Sequence, residues 1–303
     1  MDVIVNFAPT GMIPTKEMTP HVPLSVNEIV EDVHRAVEIG ITTVHIHARD
    51  ERTGEPISSV EQYARIIEGI RKFDRDLVIG VSLSGRQVVD VRERAKPLQL
   101  DGALKPDLGS LTLSSLNFDR QASVNSPDTI QALAAEMLQK GIVPELEAFD
   151  SGMINYAKYL TKKGTLQGPY YFNLLLGNIA CAQADLLHAG VMLNDLPDDS
   201  YWALAGIGDA QLPMNSIGVA LGGGARVGLE DNVWYDSRRT KLGHEQRPSR
   251  ANAPAHRGSR SPGHAPERLQ DTAESTRRER EIRTVAPATP ATAGRWRAGA
   301  TDD

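Results

Sequence analysis

The segments SVNEIVEDVHRAVEIG (25–40) and VHIHA (44–48) decide the fold class, because together they form one helix–strand unit. Ser25 and Glu28 have the capping-box spacing that begins a helix. Apolar residues then recur at helical spacing, and Gly40 is typical of a helix end. The second segment is short and alternates apolar residues with histidine, which predicts a strand with two different faces.

The same alternation recurs up to residue 243. We predict helices between most of the strands, including one near 178–188. Repeated β–α units imply parallel strands joined by right-handed crossovers, and eight units favour an α/β fold of the (β/α)8 TIM-barrel type over an open sheet. The predicted strands are 3–9, 44–48, 77–85, 102–115, 142–149, 169–177, 201–208 and 225–231.

The overall composition is that of a globular protein. The formal net charge of −6 and the pI of about 5.8 argue against a nucleic-acid-binding protein. A single cysteine, Cys181, excludes a disulfide framework and a thiolate zinc site. No apolar run approaches the length of a membrane span, and the first residues lead directly into a strand. We therefore expect a cytoplasmic protein that does not bind membranes.

The composition changes at about Gly243. Residues 244–303 contain eleven Arg and no Lys, are rich in Ala and Pro, and have four large apolar residues. Such a segment is poorly suited to form the eighth helix of a barrel, so we predict a barrel domain (1–243) and an atypical, disordered tail (244–303). The tail could be a basic arm that binds an acidic partner or an ordinary extension. We favour a third reading, a coding region translated out of frame, which would leave the barrel poorly soluble or weakly active.

A barrel predicts where the functional site lies, because active sites of this fold form at the C-terminal ends of the strands. The predicted strands carry several polar residues that could reach this end. They are His45 and His47 on strand 2, Ser82 and Ser84 on strand 3, Ser110 and Thr112 on strand 4, Glu145 and Glu147 on strand 5, Asn173 on strand 6, and Arg226, Glu230 and Asp231 on or after strand 8.

His45 and His47 are two residues apart on a strand, so both side chains point to the same face. Glu230, expected on the same face of strand 8 as Arg226, can approach them because strands 8, 1 and 2 are neighbours in a closed barrel. Two imidazoles and one carboxylate are typical of a catalytic Zn2+ with an open coordination position. The alternatives are a hydrogen-bonded histidine pair in the core and a Glu230–Arg226 salt bridge.

The chemistry that these residues favour is polarisation of a carbonyl group. A binuclear hydrolase needs more histidines at the strand ends than this chain offers. Asp231, next to Glu230, is placed to act as a base, and Arg226 could pair with it or hold an anionic substrate group. The alternative for Asp231 is a solvated loop carboxylate.

The motifs resemble those of the β-keto acid cleavage enzymes, of which the 3-keto-5-aminohexanoate cleavage enzyme is one type. The resemblance covers residues 1–243. The matching segments are V-H-I-H (44–47), S-G (84–85), K-P-D (105–107), S-L-T (110–112), S-S-L-N-F (114–118), P-E-L-E (144–147), G-I-G (206–208) and R-V-G-L-E-D-N (226–232).

This resemblance implies a homo-oligomeric TIM barrel, commonly a tetramer, with a zinc ion on His45, His47 and Glu230. It implies that Asp231, together with Arg226, takes the C2 proton of a β-keto acid. The enolate attacks acetyl-CoA, CoA is transferred, and a retro-Claisen step releases acetoacetate and a new acyl-CoA. The residues that it implies for substrate binding are Ser82, Ser84, Gly85, Ser110, Thr112 and Glu147.

One departure from the family pattern concerns the substrate. Members that handle amines carry a glutamate in the strand-1 loop, where this chain has Ile13. We therefore expect a β-keto acid with an uncharged, apolar acyl chain. The rival function is a metal-dependent aldolase or lyase on the same barrel that needs no CoA.

Overall fold

The computed structural model describes residues 3–243, which form a closed barrel of eight parallel strands with helices between them. The first strand pairs with both the second and the last, which closes the barrel. The predicted (β/α)8 fold is confirmed. The strands are β1 (Val5–Phe7), β2 (Thr43–Ile46), β3 (Val78–Val81), β4 (Leu108–Thr112), β5 (Val143–Ala148), β6 (Tyr170–Leu176), β7 (Ser200–Gly206) and β8 (Gly224–Val227).

Seven α-helices follow the first seven strands in turn, within residues 3–243. The first confirms the capping prediction: the Ser25 side chain accepts a hydrogen bond from the Glu28 backbone N–H, and Gly40 ends the helix at φ 100°. The helices are α1 (Val26–Ile39), α2 (Val60–Arg71), α3 (Val91–Arg94), α4 (Pro127–Lys140), α5 (Ser151–Lys162), α6 (Leu186–Asp195) and α7 (Gln211–Ala220).

The apolar residues form two separate clusters. The larger one lies between the strands and the helices and includes Val44 and Ile46 of β2. The smaller one, which includes Val78, Leu108 and Tyr171, is built from residues on or next to the strands, which places it inside the barrel. The alternation along β2 therefore directs its apolar residues towards the helices and its histidines towards the barrel interior.

Several predicted strands are shorter in the structure, and two elements differ in ways that have an evident physical reason. The sixth helix covers Leu186–Asp195 instead of residues near 178–188, because Asp185 caps it by accepting a hydrogen bond from the His188 backbone N–H. The last strand ends at Val227 instead of continuing to residue 231. A Cβ atom on Gly228 would lie 1.9 Å from the carbonyl oxygen of Ala8, so this close approach requires glycine where the chain leaves the strand.

No helix follows β8 in the described part of the chain. Residues 228–243 instead form turns and an isolated bridge between Trp234 and Leu242. The predicted tail, residues 244–303, lies outside the described residues, so its disorder and the domain boundary at Gly243 stay predictions. Among residues 3–243, the helices are all too short or too polar to cross a membrane.

Candidate metal centre and active site

A cavity of about 200 Å3 opens at the C-terminal ends of the strands, where the sequence predicted the site. Its wall combines polar residues near the barrel axis with apolar residues from the loops. The lining residues are Met12, Ile13, His45, His47, Ser82, Ser84, Arg86, Thr112, Leu116, Phe118, Ser123, Glu147, Phe149, Leu175, Ile207, Arg226, Glu230 and Asp231.

The two histidines of the VHIH segment face each other at the base of this cavity. Nε2 of His45 lies 3.1 Å from Nε2 of His47, and both side chains are buried. Nδ1 of His45 lies 2.7 Å from a carboxylate oxygen of Glu145. Since an ionised carboxylate only accepts hydrogen bonds, Nδ1 carries the proton and Nε2 is left free to bind a ligand.

Glu230 completes the group, although it does not lie on a strand as predicted. It sits in the turn after β8, where its backbone N–H donates to the carbonyl oxygen of Ala8. One carboxylate oxygen lies 3.1 Å from Nε2 of His47, and the other lies 3.9 Å from Nε2 of His45. Gly11, at φ +69°, lets the strand-1 loop pack against this side chain, because a Cβ there would be 2.6 Å from Cγ of Glu230.

The donor set fits a metal ion. Atoms about 2.0–2.1 Å from a tetrahedral zinc ion are separated by about 3.3 Å, and the three ligand atoms here lie within 4.8 Å of one another. One oxygen of Glu230 is buried and has no hydrogen-bond partner among the described residues, which leaves it available as a ligand. His45, His47 and Glu230 therefore form a site that could hold a metal ion. A hydrogen-bonded histidine pair alone does not explain why the Glu230 carboxylate lies beside the two imidazoles.

The electrostatics of the two histidines differ. Burial lowers the pKa of His47 to about 4, despite the nearby Glu230. Burial opposes protonation of His45 as well, but Glu145 and Glu230 outweigh it and raise the pKa of His45 to about 9. When no metal is bound, the raised pKa of His45 favours a second proton, on Nε2, while His47 stays neutral, and a metal ion would have to displace that proton to bind Nε2.

Arg226 lies beside the metal group and contacts three carboxylates. Its Nε donates to Asp231 at 2.9 Å, one terminal nitrogen lies 3.0 Å from Glu230, and the other lies 3.6 Å from Glu147. That last nitrogen is buried and donates no hydrogen bond within residues 3–243. The Glu230–Arg226 salt bridge is therefore real, but it coexists with the contact to His47 and does not replace it.

Asp231 is not a solvated loop carboxylate, since its side chain is only 4% exposed and forms the ion pair with Arg226. Burial raises the pKa of Asp231, with Glu230 adding to the effect and Arg226 opposing it. A buried carboxylate with a raised pKa next to a cavity is suited to accept a proton from a substrate.

Of the other predicted residues, Ser82, Ser84, Thr112 and Glu147 line the cavity. The Thr112 hydroxyl donates to Glu147 at 2.7 Å, and burial raises the pKa of Glu147 against the effect of Arg226. These four side chains are therefore in position to contact a substrate.

Ser110 and Gly85 have a different position. The Ser110 hydroxyl oxygen accepts a hydrogen bond from the backbone N–H of Leu83, so this side chain holds β4 against the end of β3. A Cβ on Gly85 would lie 2.4 Å from the carbonyl oxygen of Val124. Neither residue is among those that line the cavity, and their predicted contact with substrate stays a prediction.

The structure also shows groups that the sequence reading did not assign. Asn6 and Asn173 each donate a hydrogen bond to the same oxygen of Glu145, at 2.7 and 2.6 Å, and the hydroxyl of Tyr171 accepts from Asn6 and donates to Asn173. Asn6 was missed, although an asparagine within the apolar run VIVNF was a usable signal. This buried network holds the carboxylate that orients His45.

The chain is similar to known proteins of one family. A family model described as beta-keto acid cleavage enzyme matches residues 2–267, and thus extends past the predicted boundary at Gly243. The 3-oxoadipate:acetyl-CoA acetyltransferase of Cupriavidus necator is 40% identical over 237 residues, covering 77% of this chain and 81% of that protein. The 3-keto-5-aminohexanoate cleavage enzyme of Fusobacterium nucleatum is 34% identical over 236 residues, covering 77% of this chain and 84% of the relative.

Among solved structures, the apo form of ObcA superimposes with a TM-score of 0.64 at 18% identity. The match covers 87% of this chain and 62% of the ObcA chain, so this chain spans less than two thirds of ObcA. At this identity the similarity supports the fold alone.

Proposed function

The chain belongs to the β-keto acid cleavage enzyme family, and we propose that it is a zinc-dependent acyltransferase that condenses a β-keto acid with acetyl-CoA. The products are acetoacetate and the acyl-CoA of the remaining chain. The observation that supports this proposal most strongly is that the His45–His47–Glu230 group and the Arg226–Asp231 pair line the same cavity. Relatives named as acetyl-CoA-dependent transferases support it.

Zinc is the proposed metal because two histidines and one carboxylate form the donor set of many catalytic zinc sites. When bound, zinc would polarise the keto oxygen of the substrate as a Lewis acid. Nε2 of His45, Nε2 of His47 and the Glu230 carboxylate would hold it. Glu145 supports the site by keeping the proton of His45 on Nδ1.

Asp231 is the proposed base. It would take a proton from C2 of the β-keto acid, where the adjacent keto group makes the carbon acidic. Arg226 holds the carboxylate through Nε and keeps it aimed into the cavity. After proton transfer, Arg226 stays paired with Glu230 and Glu147, so its charge remains compensated throughout.

The bond changes balance without a further reactant. C2 attacks the thioester carbonyl of acetyl-CoA, and CoA thiolate leaves. The thiolate then adds to the original keto carbonyl, and the bond from that carbon to C2 breaks. The acetyl group and the C1–C2 fragment leave as the enolate of acetoacetate, which takes the proton back from Asp231, while the remaining acyl chain leaves as its CoA thioester.

The alternative, an aldolase or lyase on the same site, would cleave the β-keto acid without CoA. The test incubates zinc-loaded protein with 3-oxoadipate, 3-oxohexanoate or 3-keto-5-aminohexanoate, with and without acetyl-CoA, and measures acetoacetate and acyl-CoA by chromatography. We expect both products in equal amounts and only with acetyl-CoA. Cleavage that proceeds at the same rate without acetyl-CoA would establish the lyase instead.

The assembly and location are further parts of the proposal. We expect a cytoplasmic homo-oligomer, as the family resemblance implies, with a tetramer as the expected size. Light scattering coupled to gel filtration gives the mass directly. A monomer at micromolar concentration would contradict this part of the proposal without affecting the reaction.

A further inference from the structure

Arg86 is a cation in the cavity wall that forms no ion pair with any residue between 3 and 243. It follows β3 and the Ser84–Gly85 pair, and its guanidinium carbon lies 3.3 Å from the ring centroid of Phe118. In the described part of the chain, no carboxylate lies within ion-pair distance of Arg86 and its guanidinium donates no hydrogen bond. A partly buried guanidinium in this state has unused capacity to bind an anion.

Arg226, the second arginine that lines the cavity, differs from Arg86 in its ion pairs. Arg226 contacts the carboxylates of Asp231, Glu230 and Glu147, so its charge is already compensated. These three acidic groups and the histidines lie close together where the chemistry is proposed to occur. Within residues 3–243 Arg86 forms no ion pair with these carboxylates, although Glu230, Glu147 and Asp231 partly oppose the lowering of its pKa by burial. Its guanidinium is therefore available for a substrate group that Arg226 and the metal group do not hold.

Arg86 is held in position by a rigid framework. Arg94, which is buried, donates hydrogen bonds to the carbonyl oxygens of Leu83 and Val124 and to the side chain of Asn125. This arginine ties the end of β3 to the segment after a short antiparallel hairpin (Leu116–Asn117 with Ala122–Ser123), next to which Phe118 lies. The segments that carry Arg86 and Phe118 are thus held together before a ligand binds, and the guanidinium rests on the Phe118 ring.

The remainder of the wall is suited to a carbon chain. Met12, Ile13, Leu116, Phe149 and Ile207 line the same cavity as Arg86. A substrate with its keto and C1 carboxylate groups at the metal group would lay its methylenes on these apolar side chains. A charge at the end of that chain could then reach the guanidinium.

On the basis of the proposed function, we propose that Arg86 binds a second carboxylate at the far end of the acyl chain, so that the preferred substrates are β-keto dicarboxylic acids. The C1 carboxylate is a less suitable partner, because it is two bonds from the keto carbon and stays beside the reacting groups. This proposal revises the expectation of an uncharged acyl chain, which rested on Ile13 alone. The absence of a negative charge at Ile13 still disfavours an ammonium group.

The test compares 3-oxoadipate with 3-oxohexanoate, which has the same chain length and lacks the second carboxylate. In the wild type, kcat/KM should favour 3-oxoadipate. In Arg86→Gln, this preference should fall on the order of thirtyfold, the usual effect of losing hydrogen bonds to a charged group. Arg86→Lys should retain part of it. Arg92→Gln, an exposed arginine on α3, is the matched control and should keep the full preference.

Three results would overturn the proposal. A preference unchanged in Arg86→Gln would show that the residue does not select the substrate. An equal loss of kcat/KM for both acids would assign Arg86 to the C1 carboxylate. A rise confined to the KM for acetyl-CoA would assign it to the phosphates of CoA.

Binding measurements separate this inference from the proposed reaction. Calorimetric titration of zinc-loaded protein with 3-oxoadipate, in the absence of acetyl-CoA, should give a Kd that Arg86→Gln weakens by a similar factor. If no acetoacetate forms with any β-keto acid but binding still depends on Arg86, the proposed reaction fails while the carboxylate site stands. Equal binding by the wild type and the variant would refute the site.

Discussion

Glu145 accepts a 2.7 Å hydrogen bond from Nδ1 of His45, and this contact determines which nitrogen of the imidazole faces the metal group. Both side chains are completely buried, and Asn6 and Asn173 bind the other oxygen of Glu145. Burial would raise the pKa of Glu145, but His45 outweighs it and lowers the pKa, so the carboxylate stays ionised. The buried network around Glu145 thus orients His45, a proposed metal ligand, and is not itself part of the metal group.

Replacing Glu145 with Gln should weaken zinc binding by about 10- to 100-fold, because the amide is a weaker acceptor for the His45 proton. A competition titration with a chelator of known affinity measures this change. Glu61→Gln, on the exposed face of α2, is the control and should bind zinc normally. Unchanged zinc affinity in Glu145→Gln would mean that other contacts orient His45.

His47→Ala should abolish both metal binding and turnover, since it removes one of three proposed ligands. Elemental analysis of the purified protein gives the zinc content per chain. His188→Ala is the control, because His188 lies on α6 and is paired with Asp185 away from the cavity. Full activity in a protein shown to contain no metal would contradict the metal assignment.

Asp231→Asn should retain zinc but lose turnover by a hundredfold or more, on the order expected for a general base. The variant keeps the size of the side chain, and Asp231 is not one of the proposed ligands. Steady-state kinetics and zinc content are measured on the same preparation. Asp209→Asn, on the surface, should change neither. Near-normal turnover in Asp231→Asn would assign the base to another group, and Glu147 would be the next candidate.

Glu28 should make stability depend on pH. Partial burial would raise its pKa, but a hydrogen bond from Lys16 and the backbone N–H groups of Ser25 and Leu24 outweigh it and lower the pKa to about 2. Because the folded value lies below the ordinary 4.5, the stabilisation is complete above pH 4.5 and is lost as the pH falls towards 2.

Glu28→Gln should therefore lower the midpoint of urea unfolding at pH 7, and the difference from wild type should shrink steadily below pH 4.5. Glu31→Gln, more exposed on the same helix, is the control and should have a smaller effect at every pH. A deficit in Glu28→Gln that is the same at pH 7 and at pH 3 would exclude the ionised carboxylate as its source.

Local patterns were sufficient for much of the fold. The capping box of Ser25 and Glu28 predicted α1 to within one residue at each end, because the atoms that begin and end a helix are neighbours in the chain. Alternation along β2 correctly placed both histidines on one face. By contrast, periodicity misplaced α6, because the residues before Asp185 have no signal that rejects a helix.

Glu230 shows the limit of prediction from local sequence patterns. Alternation along strand 8 predicted that Glu230 approaches the histidines, and Glu230 does lie beside His47. The strand, however, stops at Val227, and Glu230 reaches His47 from the turn that follows. That turn depends on the close contact between Gly228 and Ala8, residues far apart in the chain. The S-G motif likewise gave no sign that Gly85 packs closely against Val124, a residue distant in the chain, and its predicted contact with substrate stays a prediction.

The sequence by itself determined the repeated β–α units and the face of β2 on which the histidines lie, because capping and alternation act over a few residues. Only the tertiary structure decided how Glu230 reaches His47, that Glu145 orients His45, that Arg226 joins three carboxylates, and that Arg86 lines the cavity without an ion pair to any carboxylate within residues 3–243. His47 and Glu230 are 183 positions apart, and their 3.1 Å contact exists because the barrel closes between β1 and β8. Distances of this kind follow from long-range packing, which no local pattern encodes.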